Sequence, residues 1–158
     1  MTRLRWSAQV PPEELGVVVH GPVVLARSPG IVAGLRCVFA HPGGLHLLVV
    51  LRAEGVQAEA AGRRTFPRPD DAGHDPCTGP ALVADVDGDS RPADPIGQES
   101  SGSADHFSQR VAYWIGALPR DGRLQLTFGW PQAGLAETRT VLQLADLDGL
   151  EERVLPLR

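Results

Sequence analysis

Residues 31–51, IVAGLRCVFAHPGGLHLLVVL, restrict what this chain can fold into more than any other stretch. Ile31, Ala33, Leu35, Cys37 and Phe39 recur with period two, the mark of a half-buried strand. Residues 45–51 are apolar on both sides except at His46, which marks a central strand covered over most of its length. The sequence Pro42-Gly43-Gly44 joins them. A two-residue Gly43-Gly44 turn would pair Phe39 with Leu48. It would leave Leu45, Leu47, Val49 and Leu51 on the face opposite Leu35, Cys37 and Phe39. A three-residue loop over 42–44 pairs Phe39 with Leu47, Cys37 with Val49 and Leu35 with Leu51. One face then carries both apolar sets. Burial selects this register, because a one-residue slip exchanges the faces. Gly44 suits the left-handed position that closes such a loop.

The rest of the chain continues in short strands. Residues 4–10 are a candidate first strand with Leu4 and Trp6 on one face, stopped by Pro11-Pro12. Residues 16–20 and 23–26 are one bent strand or two, divided at Gly21-Pro22. Residues 55–62 suit a polar strand, and 63–80 a surface loop with Arg63, Arg64 and Arg68 ahead of Asp70, Asp71 and Asp75. Residues 81–86 form a strand, and 87–103 a polar, turn-rich segment. In residues 109–118, Val111, Tyr113 and Ile115 alternate against Ala112 and Trp114. Residues 123–130 alternate most regularly, with Leu124, Leu126, Phe128 and Trp130 on one side and Gln125 and Thr127 on the other. Residues 138–144 add a strand. Asp146 is placed to cap a short helix to Arg153, with Leu147, Leu150 and Val154 on one face.

No amphipathic helix separates successive strands, which excludes a parallel α/β sheet. The expected fold is a single all-β domain over 1–158. It is an antiparallel β-sandwich of about seven to nine strands with a short C-terminal helix and long surface loops near 55–80 and 87–105. A β-barrel is the alternative.

At 158 residues the chain is long enough to bury a core without staples. It has no Lys, no Asn and only three Ile. These residues need A/T-rich codons, so a GC-rich genome explains the composition, and the many Pro and Gly are not evidence of disorder. A net charge of −4, with arginines dispersed along the chain, does not make a nucleic-acid surface. The N-terminus lacks the apolar core of a signal peptide, and no run approaches the roughly 20 apolar residues of a membrane span. A cytoplasmic location is expected.

Several stretches resemble an uncharacterised family of small all-β proteins from high-GC bacteria. They are Val23-Val24-Leu25-Ala26-Arg27-Ser28, the strand–Asp-Gly–Arg pattern over 86–91, Tyr113-Trp114 leading into Leu118-Pro119, and Gly129-Trp130-Pro131 running on to Glu137-Thr138. Together they cover about half the chain. The resemblance implies an all-β fold with no known activity, and no functional residue is carried over from it.

Chemical motifs are few. Asp85-Val86-Asp87-Gly88-Asp89 supplies alternating carboxylates of the kind Ca²⁺ takes as hard oxygen ligands. The helix-loop-helix calcium template fails here, since its glycine position counted from Asp85 is Ser90 and its glutamate position is Ile96. Asp94 and Glu99 would join only through an irregular loop. The competing reading of this stretch is a strand ending in an Asp-Gly turn. His41 and His46 flank the hairpin turn, and the three-residue loop sets them on opposite faces. His74 and Cys77 have ligand-like spacing without a second pair to complete a zinc site. Cys37 sits at an apolar strand position and reads as a small buried thiol rather than half of a Cys37–Cys77 bridge. There is no nucleophile elbow, and the absence of Lys excludes Schiff-base and P-loop chemistry. Ser100, Ser101 and Ser103 read as a polar loop. Trp114, with Arg110, is either an exposed interface anchor or packed under another layer.

These readings assign no catalytic, cofactor-binding or metal residue. The expected function is a non-enzymatic accessory or protein-interaction module with a protein partner. One alternative is a Ca²⁺-dependent binding domain using Asp85, Asp87 and Asp89. The other is a small enzyme whose site converges only in space, around His106, Asp105 and the acidic loop.

Overall fold

The computed structural model describes residues 4–66 and 79–157. In chain order the strands are β1 (Glu14–Leu15), β2 (Val17–His20), β3 (Val23–Ser28), β4 (Ile31–His41) and β5 (Gly44–Glu54). After helix α1 (Gly55–Thr65) come β6 (Ala81–Val86), β7 (Asp89–Ala93), β8 (Pro95–Gly102), β9 (His106–Ile115), β10 (Arg123–Trp130) and β11 (Leu135–Gln143). A short helix α2 (Leu150–Arg153) and β12 (Leu155–Pro156) close the described chain. All pairings between these strands are antiparallel.

The expected sandwich is present, and no barrel closes among the described residues. The larger sheet runs β2-β4-β5-β9-β8, with β3 also paired to β4, and the smaller runs β11-β10-β6-β7. Their inner faces share one core. Leu45, Leu47, Val49 and Leu51 of β5 and Val111, Tyr113 and Ile115 of β9 meet Leu82 and Ala84 of β6 and Leu124, Leu126, Phe128 and Trp130 of β10. The sheets approach along one edge, where the Thr140 hydroxyl donates to the Leu25 carbonyl and the Ala136 N–H to Ser28 Oγ. The strand count exceeds expectation partly because β1 and β12 form a separate two-residue ribbon.

The central hairpin departs from the predicted loop. His41 pairs with Gly44, Ala40 with Leu45, Phe39 with His46 and Val38 with Leu47, so Pro42-Gly43 is a two-residue turn. Gly44 is not in the left-handed region. It belongs to the ladder, and a Cβ there would collide with the Ile115 carbonyl and lie 2.7 Å from the Trp114 ring. The expected face does not survive intact: of Leu35, Cys37 and Phe39 only Leu35 shares the side of Leu45, Leu47, Val49 and Leu51, and a bulge brings Val38 and Ala40 there in place of the other two. The register shifts between Leu35, opposite Val49, and Cys37, opposite Leu48. One extra residue at Arg36 lets Ile31, Ala33 and Leu35 point inward, and then Val38 and Ala40, while Cys37 and Phe39 turn outward.

Residues 55–65 are helix, not a polar strand. The segment VQAEAAGRRT is rich in Ala, Gln, Glu and Arg, good helix formers, and β-branched only at Val56 and Thr65. Ala58 and Ala61, three apart, are its buried stripe. Glu59 and Arg63 pair across one turn, and Arg63 and Arg64 stand at the negative end of the helix dipole. Gly55, at φ +61°, lets the chain turn from β5 into the helix. Just beyond α1, the Phe66 ring meets Phe107, which in turn meets Trp130.

The expected loop over 87–103 is two strands. Asp87 and Gly88, both at positive φ, make the tight turn joining β6 to β7. Asp94 alone then separates β7 in the smaller sheet from β8 in the larger. The candidate first strand reduces to one bridge, Trp6 beside Ala93, with Leu4 exposed. Trp6 is buried, donates from Nε1 to the Ala84 carbonyl, and carries the Arg91 guanidinium 4.8 Å from its ring centre. The C-terminal helix is one turn and starts later than expected, because the Asp146 carboxylate accepts from the Asp148 N–H instead of capping it.

Candidate interaction face

The two sheets treat their outer faces differently. On the smaller sheet the outward row carries Asp85, Gln125, Thr127 and Arg139 with Val83 and Val141, a mainly polar face of the kind water accepts. On the larger sheet the outward positions of the central strands include a group of apolar residues set among arginines. Val32, Cys37 and Phe39 of β4, Leu48 and Val50 of β5, and Ala112 of β9 are half-buried, with no layer above them among the described residues. Val18 and Val24 on the flanking strands extend the surface and are 58% and 49% exposed.

Charge is distributed unevenly over the same face. Arg27, Arg36, Arg52 and Arg110 all project there, against the carboxylates of Glu54 and Glu99. Glu99 lies 3.8 Å from Arg110. Arg27, Arg36 and Arg52 make no ion pair among the described residues. The Arg36 bulge sets one guanidinium beside a hollow of about 400 Å³. Leu48, Val50 and Ala112 lie along its floor, with Arg110, Gln98 and Glu99 on the far side. Burial pushes the Cys37 thiol above its ordinary value, with Arg36 pulling the other way, so it stays protonated at neutral pH.

One end of this face is closed over. His41 Nδ1 lies 2.8 Å from Glu14 Oε1, and the imidazole ring packs 5.6 Å from the Trp114 indole. Gly16 lies so close that a Cβ there would fall 2.6 Å from His41 Nε2. Trp114 is therefore buried, not an exposed anchor, and its Nε1 has no partner among the described residues. Arg110, its proposed companion, does stand in solvent. His41 and His46 share this side of the sheet instead of occupying opposite faces, since Phe39 pairs with His46 and His41 lies two positions on. The His46 ring is held below its ordinary value, by burial first and then by His41.

The other candidates are dispersed or engaged. Asp85 Oδ1 accepts from the Gly88 N–H, Asp87 Oδ1 from the Arg120 N–H, and Asp89 pairs with Arg91. No group of three potential ligands that could hold a metal occurs among the described residues. His74, Cys77 and the Cys37–Cys77 pairing lie outside those residues. Ser101, Ser103 and His106 line a second hollow of about 350 Å³ with Arg52 and Glu54. Among the described residues no hydrogen bond joins a hydroxyl there to the imidazole, and the Ser101 hydroxyl pairs with that of Ser108. Asp105 gives its backbone carbonyl to the Gly55 N–H. Gln109 Oε1 and Tyr113 OH are buried without partners among the described residues, and burial pushes the tyrosine hydroxyl well above its ordinary range.

No helix among the described residues is long and apolar enough to cross a membrane. The chain matches no protein-family model, no curated protein and no solved structure.

Proposed function

We propose that this chain is a non-enzymatic protein-binding module that works through the outer face of its larger sheet. The observation behind this reading is the apolar strip Leu48, Val50 and Ala112, at outward positions of central strands where the smaller sheet carries polar residues. An antiparallel sheet with one solvated face ordinarily alternates apolar inside with polar outside. A contiguous apolar surface rimmed by charge is what protein contact sites share.

Site-specific photo-crosslinking in the native cell tests the reading. A photoreactive residue at position 48 should yield a discrete protein adduct. The same residue at position 125, on the outer face of the smaller sheet, should yield none. Absence of an adduct from position 48, or equal labelling from both positions, contradicts the proposal.

A further inference from the structure

We infer that the occupant of this face is an acidic amphipathic helix of a partner protein, an inference that rests on the binding-face reading above. The apolar floor of the hollow is narrow, formed by Leu48, Val50 and Ala112 of the two central strands β5 and β9. Cations flank it on both sides, Arg36 from the β4 bulge and Arg110 from β9. Adjacent strands are about 4.8 Å apart, so β4 and β9, separated by β5, lie about 10 Å apart. That span matches the roughly 10–12 Å diameter of a helix with its side chains. A helix laid along β5 sets one apolar stripe on the floor and brings the residues flanking that stripe on either side to Arg36 and Arg110.

Charge fixes the identity of those flanking residues. Arg36 has no ionic partner among the described residues, and Arg110 has only a 3.8 Å approach from the solvated Glu99 carboxylate. The chain as a whole is acidic, at −4, so this cluster of arginines is a local reversal of its surface charge. A guanidinium receives carboxylates through directed, paired hydrogen bonds, which gives an acidic partner orientation as well as attraction. Lysines at the same helix positions would meet like charge.

Two synthetic peptides about five turns long test the inference. Both carry leucines at i, i+3, i+4 and i+7; one has glutamates on both flanks of the stripe and the other lysines. Titrated into the ¹⁵N-labelled full chain, the acidic peptide should shift the amide signals of Leu48, Val50 and Ala112, and the lysine peptide should not. Arg36→Glu combined with Arg110→Glu should weaken the acidic peptide by about tenfold or more and confer binding of the lysine peptide. The acidic complex should also weaken as salt rises. Equal binding of both peptides, or shifts confined to other surfaces, overturns the inference. So does stronger binding to vesicles of phosphatidylglycerol and phosphatidylcholine than to the acidic peptide, which would identify a lipid surface instead. An adduct from position 48 alongside silent peptides rejects the acidic helix and leaves the binding face standing, whereas loss of that adduct rejects both.

Discussion

Leu35 and Val38 project into the same core although three positions separate them, a spacing that a regular strand would place on opposite faces. The extra residue at Arg36 reconciles them. Removing Arg36 sets Leu35 and Val38 two positions apart, so strict alternation keeps both sets inward, whereas removing Gly34 from the regular part of the strand sets Ala33 beside Leu35 and forces one of them outward. Deletion of Gly34 should therefore abolish cooperative unfolding or lower its midpoint severely, and deletion of Arg36 should keep a cooperative transition. Arg36→Ala keeps the bulge residue and should fall within about 0.5 kcal/mol of wild type, as exposed substitutions do. Urea unfolding of the two deletion variants checks the pair, and equal losses would show that Arg36 is not the extra residue.

Phe128 lies mid-strand in β10, 1% exposed, while Thr127 faces outward and is half-buried. Phe128→Ala should leave a core cavity and cost about 3–5 kcal/mol. Thr127→Ala should cost well under half of that. Denaturant curves measure both, and a larger loss from Thr127→Ala would invert the assignment of inside and outside.

Gly44 and Gly43 adjoin in sequence and differ completely in surroundings. A Cβ at 44 would strike the Ile115 carbonyl and the Trp114 ring, whereas one at 43 would meet nothing within 4 Å. Gly44→Ala should therefore cost about 1–3 kcal/mol through forced displacement of β9. Gly43→Ala should be close to neutral. Thermal melts of the two variants decide it, with comparable losses counting against the close packing of Gly44 on β9.

His46 contributes a pH dependence. Its folded value is depressed below the 6.5 of a free imidazole, by burial and then by His41. The unfolded chain therefore takes up the proton first as pH falls, and protonation favours unfolding. Stability should decline as pH drops through 6.5 toward the folded value and hold steady above it. His46→Gln should flatten that slope when melting temperatures are compared between about pH 5 and 8, the range in which histidine titrates. An unchanged slope would assign the dependence to other groups.

Much of the architecture was legible because burial writes period two into strands. Residues 31–35, 111–115 and 124–130 carry that signal, residues 45–51 mark a central strand, and the two-sheet arrangement follows from them. The bulge at Arg36 was hidden because Cys37 and Phe39 are apolar enough to mimic continued alternation. The helix at 55–65 was hidden because its buried face consists only of Ala58 and Ala61, too small to register as a hydrophobic stripe. The strands over 89–102 are built largely from Ser, Gly, Gln and Pro. The ladder with β6 and β9 orders them in spite of weak propensity. The candidate face was half visible. Arg110 enters the sequence reading only beside Trp114, as one of two alternatives, and residues 45–51 read as apolar on both sides. Reading both sides as covered concealed that Leu48 and Val50 face outward with no layer over them among the described residues.

The central claim is that Leu48 and Val50 serve binding more than folding. The most direct measurement combines unfolding of the Leu48→Ser, Val50→Ser double variant with its partner adduct from a photoreactive residue at Ala112. Stability should fall by less than for Phe128→Ala, and the adduct seen when residues 48 and 50 are intact should disappear. A loss equal to that of Phe128→Ala, or an adduct that survives the double substitution, would contradict it.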